Sequence, residues 1–395
     1  MRMTSLRSVY LDNAATTPVD PAVAEAMAPY AAATYGNASS LYALGRQARR
    51  AVEQAREELA RLLGVSAEEI VFTSGATEAD NLALKGLAFA RPEKRHLVIS
   101  AVEHHAVLHP AEWLAKRGYE VVRVGVDATG RVDPAEVEAA IRKETLLVSV
   151  MAANNEVGTL EPVDEIGAIC RARGVPFHTD AAQAFGKVPL SLAHVDLLST
   201  SAHKLNGPKG VGFLYVRKGL RLDPLFHGGG HERGLRSGTE NTPGIVGLAE
   251  AARLSVAAME DTEARLSRLR RRMIDAVLRL RGTQLNGNEN QSLPTIANFS
   301  FAGVEGESLV MKLDEHGIAA STGSACSSPD LEPSHVLLAM GVPLPLAHGS
   351  LRVSLGRQTT EEDVDAFLAA LPRAVEELRA VSPFKGDDLQ CTTRR

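Results

Sequence analysis

The class of fold follows from residues 146–179, which read LLVSVMAANNEVGTLEPVDEIGAICRARGVPFHT. The apolar run Leu146–Met151 predicts a buried strand, because a strand covered on both faces is continuously apolar rather than alternating. The pattern near Pro162–Arg173 predicts a helix, and Val175–Thr179 predicts a second strand. A strand, a helix and a strand in succession predict parallel strands joined by a crossover helix.

The same alternation extends to both sides of this unit. Further strands are predicted at Val71–Ser74, His96–Ser100, Glu120–Val124, Asp196–Thr200 and Gly210–Val216, with helices near Glu78–Ala90, Val107–Arg117 and Pro134–Arg142. We therefore predict an α/β protein with a largely parallel sheet.

The pattern changes after Thr242. One long helix, rich in arginine and alanine, is predicted from about Gly244 to Leu280. Strands at Thr295–Phe301 and Ser350–Ser354 and helices near Glu307–Glu315 and Glu361–Ala380 follow. This part of the chain predicts a smaller α+β domain attached to a long connecting helix.

Composition excludes several classes of protein. The 395 residues carry a net charge of −5, and 23% of them are charged, so neither a disordered chain nor a general binder of nucleic acid or anionic membranes is expected. Three separated cysteines form neither a disulfide framework nor a zinc site, so we expect a reducing compartment. No apolar signal core precedes Val9, and no apolar run reaches the ~20 residues of a membrane span, so a cytoplasmic protein is expected.

Lysine is scarce, and Lys204 has the most informative surroundings. It follows Ser201-Ala-His, after a predicted strand, and precedes a Gly-Pro turn. A lysine held in a partly desolvated loop loses its proton more easily and becomes an amine nucleophile. The alternative interpretation is an ordinary surface lysine.

Two further elements predict a site for a phosphorylated cofactor. Ser74-Gly-Ala-Thr77 joins a strand to a helix, where backbone N–H groups bind phosphate, although the same residues also make an ordinary helix cap. Asp180 ends an apolar strand at the carboxyl edge of the sheet, where ligands bind in α/β folds. Its carboxylate could pair with a protonated pyridine nitrogen or simply cap the next turn.

These elements occur in the order of one site, and the motifs around them resemble a known family. The motifs are Tyr10-Leu-Asp-Asn-Ala-Ala-Thr-Thr, Thr73-Ser-Gly-Ala-Thr-Glu, Glu103-His-His-Ala-Val, Asn154-Asn-Glu-Val-Gly, His178-Thr-Asp-Ala-Ala-Gln, Ser201-Ala-His-Lys, His227-Gly-Gly-Gly-His-Glu-Arg-Gly-Leu-Arg-Ser-Gly-Thr-Glu and Gly323-Ser-Ala-Cys. The chain resembles the NifS/IscS cysteine desulfurases among the fold-type-I, class-V aminotransferase-like enzymes that use pyridoxal 5'-phosphate.

The resemblance implies a fold and its domains. It implies a large, mostly parallel, seven-stranded α/β/α domain over residues 16–259. Residues 1–15 and 260–395 would form the smaller α+β domain, which carries a catalytic cysteine loop at about residues 321–333. A homodimer with shared sites is implied as well.

The resemblance also implies a role for each site residue. Lys204 would bind the cofactor covalently, Asp180 would pair with its pyridine nitrogen, and Gln183 would hydrogen-bond its phenolic oxygen. His104 would stack on the ring and take part in proton transfer. The phosphate would be held by Ala76, Thr77, Ser201, His203 and, from the neighbouring subunit, Thr239. Asn155 and Arg352 would bind the substrate carboxylate, which a planar guanidinium suits.

Cys326 determines which reaction is implied. It lies in a polar, proline-bounded stretch that predicts a flexible loop, whereas Cys170 lies in an apolar helix and Cys391 in a polar tail. The loop length resembles the long-loop group of the family. L-Cysteine would give L-alanine and a persulfide on Cys326, because the thiolate is the reactive form. No resident metal ion is expected, although Cys326 could ligate an iron–sulfur cluster in transfer.

The acceptor and the alternatives stay open at this point. The persulfide would pass to an iron–sulfur scaffold protein or to a tRNA-thiolating acceptor, and the unmatched tail after Phe384 does not decide between them. A selenocysteine lyase or an aminotransferase would share Lys204 and Asp180 but would not require Cys326. A catalytically silent, cofactor-bound regulator is the second alternative.

Overall fold

The computed structural model describes residues 8–323 and 333–383. Most of the predicted cysteine loop, including Cys326, lies outside the described residues, and so does Cys391.

The strands and helices of the described residues alternate through the first two thirds of the chain. The strands are β1 (Val9–Tyr10), β2 (Ile70–Thr73), β3 (His96–Ser100), β4 (Glu120–Val124), β5 (Thr145–Ser149), β6 (Phe177–Asp180), β7 (Leu197–Ser201), β8 (Gly212–Val216), β9 (Thr283–Asn286), β10 (Ile296–Phe301), β11 (Ile318–Ala319) and β12 (Ser350–Ser354). The helices are α1 (Pro21–Ala32), α2 (Ala43–Leu63), α3 (Ala76–Asn81), α4 (Leu87–Ala90), α5 (His105–Ala115), α6 (Pro134–Ala140), α7 (Val163–Arg173), α8 (Thr242–Ala257), α9 (Met259–Val277), α10 (Gly306–Asp314), α11 (His335–Ala339), α12 (Leu344–His348) and α13 (Glu361–Val381). A turn of π-helix at Leu82–Gly86 joins α3 to α4.

Seven strands form one large sheet in the order β2-β8-β7-β6-β5-β3-β4. All neighbours are parallel except those of β8, which runs antiparallel to β2 and to β7. Every residue of the other six strands is buried, whereas the edge strand β4 is partly exposed. The predicted α/β fold with a mostly parallel seven-stranded sheet is therefore confirmed.

Helices cover both faces of this sheet. Ile70 and Phe72 of β2 point into a core with residues of α2, α7 and α8. Val71, between them, belongs to the opposite core with residues of α3 and α5. Successive side chains of a strand point to opposite faces, so the continuously apolar strands supply both cores and give three layers.

A second, smaller core lies around the antiparallel sheet β12-β10-β9. Apolar residues of α9, α10 and α13 pack onto this sheet. Val9 and Leu11 also belong to this core, because β1 pairs in parallel with β11. The beginning of the chain is thus packed together with its last third.

The prediction of one helix from Gly244 to Leu280 is wrong. The structure has two helices, α8 and α9, which meet at Ala258 with φ −99° and ψ 7°. α8 is mostly apolar and packs against α1 and α2, whereas α9 has one apolar stripe that faces the second core. Both segments favour helix locally, so only the different packing partners require the break.

No helix among the described residues is long and apolar enough to cross a membrane.

Candidate active site

Lys204 lies in a one-turn helix, Ala202–Lys204, that directly follows β7. Its Nζ donates hydrogen bonds to the carbonyl oxygens of Ala14 at 2.6 Å and Ala15 at 2.7 Å. The amine is therefore half-buried at the carboxyl edge of the large sheet, beside the segment that follows β1. This agrees with the loop predicted for Lys204 from the sequence.

Asp180 is the last residue of β6 and is 5% exposed. Its Oδ1 accepts a hydrogen bond of 2.9 Å from the backbone N–H of Ala182. Burial and, to a smaller extent, the nearby carboxyl of Asp80 raise the pKa of Asp180 to about 7. A cation placed at this carboxyl would favour its ionised form, as a protonated pyridine nitrogen would.

His178 of β6 lies beside the buried carboxyl of Asp80 on α3. Its Nδ1 lies 2.8 Å from Ser149 Oγ, and its Nε2 lies 3.0 Å from Ser199 Oγ and 3.5 Å from Asp80 Oδ1. Burial lowers the pKa of His178 to about 4 and raises that of Asp80 to about 7. Burial thus favours the uncharged form of His178, of Asp80 and, in the same way, of Asp180.

Gln183 links this region to Lys204. Its Nε2 donates to the Ala14 carbonyl at 2.9 Å, the same oxygen that accepts from Lys204. Its Oε1 accepts from Lys187 Nζ at 2.9 Å. Because both ends of the amide have partners, its –NH₂ end is directed to the side of Lys204.

The turn before α3 forms a cradle that depends on glycine. Gly75 has φ +150°, and a Cβ added there would lie 3.5 Å from Ser201 Oγ. A Cβ added at Gly212 of β8 would lie 2.8 Å from the Gly75 Cα and 2.3 Å from the Thr200 carbonyl oxygen. The turn before Ala76 and Thr77 therefore packs closely against β7 and β8, and side chains at positions 75 and 212 would disturb it beside Ser201.

His203 contacts the beginning of the chain. Its Nδ1 lies 3.1 Å from Thr16 Oγ1, and its carbonyl oxygen accepts from the backbone N–H of Thr17. Burial lowers its pKa to about 4, with a further contribution from the charge of Lys204. The ring is therefore neutral in the protein without a ligand, and the negative charge of a phosphate beside it would favour its protonated form.

His104 is the residue that begins α5. Its Nδ1 accepts a hydrogen bond of 3.1 Å from the backbone N–H of Ala106. Burial, followed by the charge of Lys204, lowers its pKa to about 4. The ring is therefore neutral, and since Nδ1 accepts, its one N–H hydrogen is at Nε2.

Arg352 on β12 joins the two cores at the site. Its Nη1 donates to the Asn155 carbonyl oxygen at 3.0 Å, and its Nη2 lies 2.8 Å from Asp12 Oδ1. The residue is 4% exposed, yet its Nε has no hydrogen-bond partner among the described residues. A buried N–H without a partner is costly, so this guanidinium is suited to a ligand carboxylate.

The segment that contains Cys326 leaves and rejoins the described structure beside Arg352. Before it, Arg352 N donates to the Ser321 carbonyl oxygen at 2.6 Å. After it, Ser334 Oγ donates to Glu156 Oε2, next to Asn155 in the chain. Cys326 itself lies outside the described residues.

Thr239 is exposed at the end of the glycine-rich stretch that begins near His227. Together with Ser74 and Glu78 of its own chain it lines a surface groove. Arg236 Nε holds this stretch to Glu78 Oε1 at 2.9 Å. The structure therefore places Thr239 at the surface, in a groove beside the turn that precedes α3.

The sequence analysis did not assign two residues that contact the site. Asp12, which pairs with Arg352, lies inside the first quoted motif, so that motif was the available signal. Lys187 was one of only ten lysines, and it lies four residues after Gln183. That spacing brings two side chains together on one helical turn.

The residues present fit pyridoxal 5'-phosphate. A half-buried amine, a buried carboxyl whose pKa is raised and an amide directed at the amine stand at the same edge of the sheet. Gly75 has no side chain to lie against Ser201 Oγ, so the backbone N–H groups at the start of α3 suit a phosphate beside this hydroxyl. No group of three or more metal-ligating side chains was found in the part of the chain that the structure describes.

Comparisons with known proteins agree with this geometry. The family model "Aminotransferase class-V" matches residues 9–367. The chain is 51% identical to "Cysteine desulfurase IscS" of Methanosarcina thermophila over 96% of this chain and 95% of the relative. It is 50% identical to "Cysteine desulfurase IscS" of Dictyoglomus turgidum over 96% of this chain and 97% of that relative.

A solved structure described as "NIFS-LIKE PROTEIN" is similar over its whole length. It is 42% identical, its TM-score is 0.89, and the match covers 95% of this chain and 100% of that one.

Proposed function

Since the chain belongs to the class-V aminotransferase family and is, within it, a cysteine desulfurase that uses pyridoxal 5'-phosphate, we propose that it removes sulfur from L-cysteine at the site around Lys204. The observation that supports this assignment of the site is that both ends of the Cys326 segment are bound near Arg352: Ser321 accepts from the Arg352 backbone N–H, and Ser334 donates to Glu156, the neighbour of Asn155 in the chain. A substrate carboxylate bound by Arg352 would therefore lie beside both ends of that segment.

The substrate carboxylate is bound by Arg352. The guanidinium is fixed by Asp12 and by the Asn155 carbonyl oxygen, which leaves Nε for an anionic ligand. Asn155 is half-buried beside it and contributes to the same subsite. Charge-assisted hydrogen bonds of this kind orient a substrate as well as binding it.

The cofactor would be held by Lys204, Asp180, Gln183, His104 and the phosphate residues. The phosphate residues are Ala76, Thr77, Ser201 and His203, with Thr239 supplied by the neighbouring subunit. When bound, the cofactor supplies an electron sink for negative charge at the substrate α-carbon. Lys204 is the base that accepts the α-proton, and the neutral His104 holds a proton at Nε2 beside it.

The sulfur is accepted by Cys326. Its thiolate forms a bond to the sulfur of L-cysteine while the carbon–sulfur bond of the substrate breaks. L-Cysteine and the Cys326 thiol thus give L-alanine and a Cys326 persulfide, with all atoms and electrons balanced and no outside oxidant. The persulfide then reacts with an acceptor thiol.

The proposal extends to organisation and partners. Residues 16–259 form the cofactor-binding domain, and residues 1–15 and 260–395 form the domain that carries the loop at about 321–333. The enzyme works as a homodimer and gives sulfur to an iron–sulfur scaffold protein or to another acceptor protein. A cytoplasmic, reducing setting suits a chain with only three cysteines, one of them reactive.

Replacement of Cys326 tests the proposal. Cys326→Ala is expected to keep the visible absorbance of the bound cofactor but to lose alanine and sulfide formation from L-cysteine by about a thousandfold, because the nucleophile is gone. Alanine and sulfide are measured with a thiol reductant present.

Cys391→Ala is the matched control, because it removes another thiol of the chain, and it should keep wild-type turnover. Undiminished alanine and sulfide formation by Cys326→Ala would overturn the assignment.

A further inference from the structure

Glu156 is a buried carboxyl beside the substrate subsite to which the proposed reaction gives no role. It follows Asn155 in one of the quoted motifs and is 4% exposed. Its backbone N–H donates to Asn154 Oδ1 at 2.8 Å, and its carbonyl oxygen accepts from Asn298 Nδ2 of β10 at 3.2 Å. The backbone of Glu156 is therefore fixed where the loop after β5 meets the sheet of the second core.

The side chain of Glu156 lies next to the chain on both sides of residues 324–332, the segment that contains Cys326. After this segment, Ser334 Oγ donates a hydrogen bond to Glu156 Oε2. Before it, the Gly323 backbone lies against the same carboxyl, since a Cβ added at Gly323 would lie 3.4 Å from Oε2 and 3.6 Å from Cγ. One carboxyl oxygen is thus beside both ends of the segment.

The contact after the segment is fixed in direction. Ser334 Oγ accepts from the Leu337 backbone N–H at 3.2 Å while it donates to Glu156, so the hydroxyl hydrogen is committed to the carboxyl. Val336 and Leu337 of α11 belong to a small apolar cluster with Val157, the residue after Glu156. Both the hydrogen bond and this packing hold the beginning of α11 to the loop after β5.

The end before the segment is held by Arg352 as well as by Glu156. The backbone N–H of Ser321 donates to the Arg352 carbonyl oxygen at 3.3 Å, and the Ser321 carbonyl oxygen accepts from the Arg352 N–H at 2.6 Å. Gly323 N then donates to Ser321 Oγ at 3.1 Å. Gly323 has φ +92°, which glycine adopts without strain, and this turn brings its backbone to Glu156.

The contact with Ser334 does not require a particular charge on Glu156. Burial raises the pKa of the Glu156 carboxyl, while the hydrogen bond from Ser334 and the charges of Arg352 and His105 act in the opposite direction. A carboxylate and a protonated carboxyl both offer an oxygen that accepts from a hydroxyl, and so does an amide. Glutamine at this position should therefore preserve the contact.

We propose that Glu156 is a positioning residue for the sulfur-transfer step, which fixes both ends of the Cys326 segment beside the Arg352 subsite. Cys326 is covalently joined to both ends, so the positions of the ends determine how often its thiolate meets the substrate sulfur. Releasing the ends widens the range of positions open to the thiol and lowers this frequency. Glu156 acts through the segment and does not itself contact the reacting atoms.

Amide hydrogen exchange in the purified enzyme tests whether Glu156 holds the segment. Exchange of the α11 amides should be about fivefold faster in Glu156→Ala than in the wild type, the size expected for one lost hydrogen bond. Exchange in Glu156→Gln should equal that of the wild type, because the amide oxygen accepts from the same hydroxyl. Equal exchange in Glu156→Ala and the wild type would overturn the inference.

Rapid mixing with L-cysteine tests the effect on sulfur transfer. In Glu156→Ala, the rate of persulfide formation on Cys326 should fall about 10- to 100-fold, because the thiolate is less well positioned. The L-cysteine concentration that half-saturates the absorbance change of the cofactor should change less than about threefold, since Arg352 is kept. Glu156→Gln should restore the rate. The persulfide is measured by quenching, alkylation and mass spectrometry of the Cys326 peptide.

Glu161→Ala is the matched control. Glu161 is a second buried glutamate of the same loop, but its carboxyl accepts from the Val132 backbone N–H at 2.9 Å. This variant should keep the wild-type rate of persulfide formation even if its melting temperature falls. The same loss of rate in Glu161→Ala, or a wild-type rate in a less stable Glu156→Ala, would show only a structural role and overturn the inference.

The inference rests on the proposed role of Cys326, and the wild-type enzyme separates the two. If the wild type forms no persulfide on Cys326, the proposed function fails and the inference fails with it. If the wild type forms the persulfide and Glu156→Ala forms it equally fast, only the inference fails.

Discussion

Arg352 shows how one buried side chain can both join two parts of a protein and leave an atom for a ligand. Two of its nitrogens are used by Asp12 and by the Asn155 carbonyl oxygen. Its Nε is buried without a partner among the described residues. The ion pair fixes the guanidinium plane, so a substrate carboxylate meets a donor that is already oriented.

Arg352→Lys should therefore weaken substrate binding more than it affects folding. An ammonium keeps the charge but loses the planar pair of donors, so KM for L-cysteine should rise about 10- to 100-fold. Steady-state alanine formation measures this change.

Arg270→Lys is the control for loss of a buried arginine. Arg270 donates to the carbonyl oxygens of Ile296 and Glu289 beside the second core, and it makes none of the contacts described for the substrate subsite. Arg270→Lys should lower the melting temperature and leave KM for L-cysteine unchanged. An unchanged KM in Arg352→Lys would remove Arg352 from the substrate subsite.

Lys187 and Asp12 also mark the limit of sequence reasoning at the residue scale. The motifs contain Lys204 and Gln183, the family resemblance implied Arg352 as a further site residue, and the structure joins Gln183 to Lys204 through the Ala14 carbonyl oxygen. The side-chain partners of these residues were not predicted. Asp12 and Arg352 are 340 positions apart, so only the fold brings them into contact.

At the scale of elements, the close approach of β8 to the turn before α3 shapes the cofactor pocket. Gly212 pairs with Thr73 of β2 and with Ser201 of β7, so this glycine lies between the phosphate turn and the strand before Lys204. The absence of a side chain lets the Gly75 backbone lie against it.

Gly212→Ala should displace the phosphate turn. The added methyl group would overlap the Thr200 carbonyl oxygen and the Gly75 Cα, so the free energy of unfolding should fall by about 1–3 kcal/mol. Cofactor affinity should fall as well, which is measured by titrating the cofactor-free protein and following absorbance.

Gly174→Ala separates a loss of stability from a loss of cofactor affinity. Gly174 ends α7 with φ +67° and has no atom near its missing side chain, so alanine there costs about 1 kcal/mol by backbone strain alone. Cofactor affinity should not change in this variant. Equal affinities in both variants would show that the cradle does not hold the phosphate.

Element types were predictable where a segment has one local pattern. The bounds of β3, β4 and β12 agree with the sequence prediction, because each is a short apolar or β-branched run between breaks. The division of residues 242–277 into α8 and α9 was not predicted. Helix propensity is continuous through Ala258, and the break becomes visible only because the mostly apolar α8 and the amphipathic α9 contact different cores.

At the scale of the whole molecule, the proposed dimer explains the position of Thr239. It is exposed beside Ser74 and Glu78, in a stretch held by Arg236, and is therefore accessible to a neighbouring copy.

The purified enzyme should have twice the mass of one chain in light scattering at micromolar concentration. Thr239→Ala should keep this mass but release the cofactor more readily, because one phosphate contact from the partner is lost. Dialysis followed by absorbance measures the retention. A protein that has the mass of one chain in light scattering and still keeps its cofactor during dialysis would contradict the dimer.

Local patterns in the sequence were sufficient for the α/β class, the mostly parallel sheet and the motifs of a cysteine desulfurase. Those properties depend on neighbouring residues: apolar runs, glycine turns and short motifs. The tertiary structure was needed for the contacts of Arg352 with Asp12, of Lys187 with Gln183 and of β1 with the second core. These contacts join residues through packing and burial, which no local pattern encodes.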